Sequence, residues 1–172
     1  MKIRHNIRFF THERMTHLQF KKYTAQDFND YYALVCDETV MEYITGHALS
    51  PEEAHVRFEK SIRQNDEYAT FGSYKIFVED IYIGFGMVLY DTDKNEAEIG
   101  YMMFPRYFKK GYGQQIANAL VALARHTNVP SLIALIDPKN MASRKILTRA
   151  GFTSVEAGII DGIPTEIFKQ AL

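Results

Sequence analysis

The stretch Glu98–Gln115, EIGYMMFPRYFKKGYGQQ, decides the fold. It opens as an apolar run of strand character, Ile99-Gly100-Tyr101-Met102-Met103-Phe104, and stops at Pro105, which has no N–H to continue a ladder. An aromatic and basic turn, Arg106-Tyr107-Phe108-Lys109-Lys110, leads into Gly111-Tyr112-Gly113. From Gln114 to about Arg125 the spacing predicts a helix, with Ile116, Leu120, Leu123 and Ala124 on one face. A strand feeding a glycine turn feeding a helix is an anion-binding arrangement. Glycine lets the backbone approach a charge, and the first N–H groups of a helix, which have no partner inside it, point at that charge along the helix dipole. Lys109 and Lys110 add positive charge at the same place. A Gly-x-Gly before a helix is equally a tight turn beside a solvated lysine pair, so the weight falls on what stands around it.

Upstream, Leu18 to Tyr23 alternates apolar and polar residues as a half-buried strand does. Thr24 caps a helix expected over Ala25 to Cys36, with Phe28, Tyr31, Tyr32, Leu34 and Val35 as its apolar stripe. Residues 37–49 read as irregular. Ser50-Pro51-Glu52-Glu53 is a helix start, with an N-cap serine, proline at the first turn and Glu53 completing a capping box; that helix is expected to reach Gln64 and to bury Ala54, Val56 or Phe58, and Ile62. Phe71–Val78 and Tyr82–Tyr90 flank the turn Glu79-Asp80 and read as an antiparallel hairpin. After the polar turn Asp91–Asn95, Ala97–Phe104 is a third strand of this group.

Downstream of the glycine turn, Leu132–Ile136 is a continuous apolar run, as in a central strand. Asp137-Pro138-Lys139-Asn140 breaks it, Met141–Arg149 is a short helix ended by Ala150-Gly151, and Phe152–Glu156 and Thr165–Lys169 are two last strands around the turn Asp161-Gly162-Ile163-Pro164. The order βααβββαβαββ makes a single α/β domain with a mixed sheet. It is taken to span residues 15–172; residues 1–14, basic and ahead of Met15, read as an extension outside the core.

Composition excludes several classes. The formal net charge of -1 offers no general attraction to nucleic acid or to an anionic membrane, so neither is expected as a partner. No apolar run approaches the roughly 20 residues of a membrane span, the N-terminus has no apolar signal core, and a cytoplasmic location is expected. The single cysteine, Cys36, rules out an internal disulfide and a cysteine metal cluster, and on an apolar helix face it is expected to be buried. His5, His12, His17, His47, His55 and His126 show no metal-ligand spacing, so no metal is expected.

The KKGYG turn, the order of elements and the later block DPKNMASRKILTRAGF resemble the GNAT superfamily of acetyl-CoA-dependent N-acetyltransferases, from Leu18 onward. The chain is most similar to the branch that holds the ribosomal-protein N-terminal acetyltransferases, where an aromatic residue, a small residue and a lysine commonly precede the Gly-Tyr; here Tyr107-Phe108-Lys109-Lys110-Gly111-Tyr112 takes that part. The second block is the more specific, with Asp137-Pro138, Asn140, Ser143 and Gly151-Phe152 at the family's spacing. The resemblance implies a twisted, mostly antiparallel mixed sheet of six to seven strands flanked by about four helices. It implies acetyl-CoA as co-substrate, no metal, a primary amine as acceptor (a peptide or protein N-terminus or a small amine), direct attack in a ternary complex, and a possible homodimer.

It also implies roles. The turn from Lys109 to Gln115, through the N–H groups of Lys110, Gly111, Tyr112, Gly113 and Gln114, is expected to hold the coenzyme A pyrophosphate. Met102, Met103 and Phe104 are expected to splay from their neighbour, by way of a β-bulge, and to offer backbone groups to the pantetheine arm and thioester. Asn140 would bond the pantetheine arm and Ser143 would lie beside the sulfur. Glu98 is the candidate base, with His47 or His55 as the other possibility; the alternatives are a solvated strand end for Glu98 and surface positions for the histidines. The chain departs from the pattern at Leu147, where a tyrosine acid is common, and at Phe108, where Gln or Arg is common. The proton for the thiolate would then come from Ser143, water, Tyr101 or Tyr112. Asp37, Glu38, Glu42, Tyr43 and His47 would line the acceptor wall, where acidic groups suit a cationic amine or form a solvated face. The alternative function is a coenzyme A-binding regulatory module with little turnover, for which Leu147 speaks.

Overall fold

In the computed structural model, residues 7–9 and 18–172 are described. Eight strands form one sheet in the order β1-β2-β3-β4-β5-β6-β8-β7. They are β1 Ile7–Phe9, β2 Leu18–Lys22, β3 Gly72–Val78, β4 Ile81–Asp91, β5 Glu96–Met103, β6 Ser131–Ile136, β7 Thr153–Ile160 and β8 Ile163–Ala171. Seven answer to the strands read from the sequence. The eighth, β1, runs antiparallel on the edge of β2, with Ile7 opposite Phe20. The rest of the N-terminal extension, Met15, His5, His12 and His17 lie outside the described residues. Among the described residues only β5 and β6 pair in parallel.

Helices cover the two faces of the sheet. α1 Phe28–Val35, α2 Glu38–Met41 and α3 Pro51–Ile62 lie on one side, α4 Tyr112–Arg125 and α5 Met141–Arg149 on the other. Alternation along a strand sends successive side chains to opposite faces. On β5, Ile99, Tyr101 and Met103 join the α4–α5 core, whereas Met102 and Phe104 join the aromatic core under α1 and α3. That second core is built on Tyr23, Tyr31, Phe58 and Phe85, with ring centroids 5.1–6.3 Å apart, mostly edge to face.

Local chemistry explains where the elements differ from expectation. Residues 25–27 form a 3-10 turn because the Asp27 carboxylate accepts from Thr24 N–H and Oγ1–H, so α1 begins only at Phe28. The stretch expected to be irregular contains α2, because the Asp37 carboxylate caps it through Thr39 N–H and Val40 N–H. Cys36, expected to be buried, is exposed. It closes α1 one position beyond buried Val35, and about 100° per residue of helical turn carries it off the apolar stripe. The Ser50–Glu53 capping box forms on both sides; Ala54 and Phe58 are buried, while Val56 is 71% exposed. The last hairpin is longer than expected, because only Asp161 and Gly162 form its turn.

Past the end of β3, side chains complete the ladder. Gln64 accepts from Tyr90 N–H at 2.8 Å and donates to Tyr90 C=O at 2.7 Å. Asn65 donates to Tyr23 C=O and Ser73 C=O and accepts from Ser73 N–H, at 2.7–3.0 Å. Asn65→Ala removes three partly buried hydrogen bonds worth about 1 kcal/mol each and strands the groups they satisfied. The expected loss is about 2–4 kcal/mol, read as a lower urea midpoint at unchanged m-value.

Candidate functional site

Along β5 and β6 the parallel register lasts for two pairs, Ala97 with Leu132 and Glu98 with Ile133, after which the strands part. On its other edge β5 keeps an unbroken register with β4 from Glu96 to Met103. The expected β-bulge is therefore absent from β5; the register shifts fall at Ile76/Phe77 and at Ser154/Glu156. The opening arises because β6 diverges. Phe104 N–H donates to Ile83 C=O at 3.0 Å, which fixes the alternation. Backbone groups of Met102 and Phe104 turn to β4, and those of Tyr101 and Met103 turn into the opening. Of the three residues expected to offer backbone groups, Met103 faces the cleft, and Tyr101 does so without having been named for it. The hydrogen-bond parity that decides this becomes visible only once register is known.

The glycine turn lies at the mouth of this cleft. Gly111 is the N-cap of α4 with φ +83, in the left-handed region open to glycine, and has no side chain to cap the helix. Lys109 also lies there, at φ 58, so the turn curls its backbone N–H groups toward one side. Tyr112, Gly113 and Gln114 occupy the first helical positions, whose N–H groups find no acceptor within a helix; Gln115 N–H begins the ladder on Gly111 C=O. A Cβ on Gly113 would come within 2.8 Å of Ile146 Cδ1 and 3.2 Å of Met103 Cε, so glycine lets α4 meet α5 and β5 here. An uncapped helix start, a positive-φ turn and the exposed Lys109 and Lys110 fit a polyanion such as the pyrophosphate of coenzyme A. Tyr112 packs edge to face on Tyr107, centroids 6.0 Å apart, as part of the turn's scaffold.

Two of the three hydroxyls named as proton donors, those of Tyr101 and Ser143, meet inside the cleft. Tyr101 Oη and Ser143 Oγ lie 3.1 Å apart, one from β5 and one from the first turn of α5. Burial pushes the Tyr101 hydroxyl up to about 12, with the Ser143 hydrogen bond acting the other way. Asn140 caps α5, its Oδ1 accepting from Ser143 N–H at 3.0 Å, which leaves the two NH2 donors of that amide outside the cap. Leu147 is fully buried in the core between α5 and the sheet. Next to Ser143, the Arg144 guanidinium grips the buried Glu166 carboxylate with both nitrogens, and Ser154 Oγ–H donates to Glu166 at 2.5 Å. This bolts α5 to β8, a contact that single-sequence periodicity does not reveal.

Glu98 lies on the opposite face of β5, half-buried, beside the cleft. Burial raises its carboxyl above the ordinary glutamate range, and the nearby cations Lys94, Arg57 and Lys60 only partly offset this. Glu96, one register step away, pairs with Lys169 at 2.9 Å. Among the wall residues, Asp37 caps α2, Tyr43 bonds to Glu42, and His47 binds Thr45 C=O at 3.1 Å and faces Glu53 at 3.6 Å. His55 stacks on Phe28, centroids 3.5 Å apart, and His126 closes α4. Among the described residues no group of His, Cys, Asp and Glu could hold a metal, and no helix is long and apolar enough to cross a membrane.

Comparison with known proteins agrees with this fold. The model of the acetyltransferase (GNAT) domain matches residues 17–153. An uncharacterized N-acetyltransferase of Bacillus subtilis (strain 168), YnaD, is 25% identical over 137 residues, 78% of each chain. Among solved structures, the ribosomal L7/L12 alpha-N-protein acetyltransferase RimL in complex with coenzyme A aligns with a TM-score of 0.74 at 17% identity, over 90% of this chain and 94% of that one. The aminoglycoside acetyltransferase AAC(6')-Ib with paromomycin and acetyl-CoA aligns with a TM-score of 0.76 at 16% identity, over 90% and 93%. With the family model covering most of its length, the chain belongs to the GNAT family of acetyl-CoA-dependent N-acetyltransferases.

Proposed function

We propose that the protein transfers the acetyl group of acetyl-CoA to a primary amine, on a peptide or protein N-terminus or a small molecule, by direct attack in a ternary complex. The observation that carries this is the β5–β6 opening, which has a half-buried hydroxyl pair on one face and a carboxylate of raised pKa on the other. Bound acetyl-CoA supplies the activated acetyl group. Backbone N–H groups of Lys110 to Gln114 hold its pyrophosphate, the NH2 of Asn140 and the backbone of Tyr101 and Met103 hold the pantetheine arm, and the Met103 N–H favours charge on the carbonyl oxygen. Glu98, ionised, accepts a proton from the attacking amine; a raised pKa brings this base nearer to neutral pH, where such transfer is most effective. The Tyr101–Ser143 pair delivers a proton to the departing thiolate. Tyr101, held protonated near neutral pH, is the reservoir, and Ser143 relays or donates from beside the sulfur.

With a donor already present in the hydroxyl pair, Leu147 does not argue for a module without turnover. Acetyl-CoA turnover against a panel of primary amines tests the function directly; binding without consumption by any of them would favour the regulatory alternative. Tyr101→Phe and Ser143→Ala are each expected to lower kcat by about 10- to 100-fold with little change in the acetyl-CoA KM. The double variant should fall little further, because the two hydroxyls act as one unit. Full additivity in steady-state kinetics would separate their roles.

A further inference from the structure

We propose that the acceptor amine is carried on an apolar group, seated on a strip of bare sheet running from Glu98 to the tip of the β7–β8 hairpin. This rests on the transferase reading above and names its substrate class. The aromatic core beneath α1 and α3 draws no residue from β6, β7 or β8, so on that face the second half of the sheet carries no helix-covered core. Register gives the strip. Ile133 lies opposite Glu98, Leu135 opposite Ile167, and Ile163 opposite Ile160. All five isoleucine and leucine side chains share the face of Glu98, since Phe168 and Glu166 point to the α5 side and alternation sends 163, 165 and 167 the other way. Leu135, Ile160 and Ile163 are 36, 38 and 46% exposed, an uncovered apolar row continuous with the candidate base. The hairpin overhangs the cleft mouth, because β8 reaches Ile163 while its pairing with β6 ends at Glu166 opposite Ile136.

Charge points the same way. The cations Lys94, Arg57 and Lys60 act on Glu98, and the neighbouring carboxylate on that face, Glu96, is already paired with Lys169, so the further ammonium groups of a polycation meet cations there rather than a free carboxylate. Two of the three acidic residues of the opposite wall are engaged locally, Asp37 as a cap and Glu42 with Tyr43, while Glu38 is exposed to solvent. An apolar monoamine brings a single charge, to Glu98, and lays an uncharged chain on the strip.

The test is kcat/KM for straight-chain alkylamines from ethylamine to hexylamine, with spermidine alongside, for wild type, Leu135→Ser and Ile167→Ser, the paired positions two residues along the strip from the Glu98 level and within reach of such chains. Leu135 is exposed and Ile167 half-buried, and a retained melting shift with acetyl-CoA checks that each variant is folded. In wild type kcat/KM is expected to rise about two- to fourfold per methylene. Each serine variant should flatten that slope. A flat series in wild type, or spermidine used better than hexylamine, overturns the inference and leaves the transferase reading standing. If the variants turn a dimer into a monomer in sedimentation and keep the wild-type slope, the strip is a contact between copies and the inference is wrong. Acetyl-CoA binding with no amine acetylated would overturn the transferase reading, and this inference with it.

Discussion

Glu98→Gln is expected to lower kcat/KM for the acceptor amine by about 10²- to 10⁴-fold at neutral pH, the usual worth of a positioned general base. The pH dependence is more diagnostic than the size. A base works when deprotonated, and burial has raised this carboxyl. The acid limb of the wild-type kcat/KM profile should therefore lie above the ordinary glutamate value of about 4.3, and it should vanish in the variant. The amine's own ionisation gives a second limb at higher pH, which persists in both proteins. Stability should move the opposite way to activity. A carboxyl whose pKa is raised by folding binds its proton more tightly in the native state, so it carries a cost above its folded pKa and none below its unfolded one. Removing the charge is thus expected to leave Tm at pH 7–8 equal to or above wild type, with the gain disappearing below about pH 4. A Tm lowered at neutral pH, with an unchanged acid limb, would make Glu98 a structural strand end.

Gly111→Glu is expected to abolish the upward melting shift that acetyl-CoA gives the wild type. A ligand bound only to the native state at 100 times its Kd stabilises by about 2.7 kcal/mol, a shift of several degrees for a chain of this size. At φ +83 any side chain carries a backbone cost of about 1–2 kcal/mol, so a lower baseline Tm is expected for every substitution here. Gly111→Ala separates the causes. Space around the Cβ is open, so alanine brings the backbone cost without charge and should retain part of the shift. Glutamate adds a carboxylate at the helix start where the phosphates are expected, and should retain none. An undiminished shift in Gly111→Glu, measured by differential scanning fluorimetry at millimolar acetyl-CoA, would place the cofactor elsewhere.

The turn from Lys109 to Gly113 and the block from Asn140 to Phe152 were legible because their chemistry is local. Glycine is the residue that takes the positive φ of Gly111 without steric cost, and the capping asparagine stands three residues before the N–H from which it accepts. The hairpins, α3 with its capping box and α4 with its apolar stripe were legible for the same reason: turn residues and periodicity act within a few residues. Cys36 and α2 were misjudged where one residue of helical phase, or a single Asp37 cap, decided the outcome.

The sequence by itself determined the order of the elements apart from β1 and α2, the family, and which residue types could bind an anion or move a proton. Tertiary structure alone decided which of them meet. That Tyr101 faces Ser143 while Glu98 faces the other side follows from strand parity combined with the docking of α5 through Arg144 and Glu166. That the cleft opens by divergence of β6 follows from a parallel register only two pairs long. Register and docking are set by packing between segments tens of residues apart, and no local propensity carries that information.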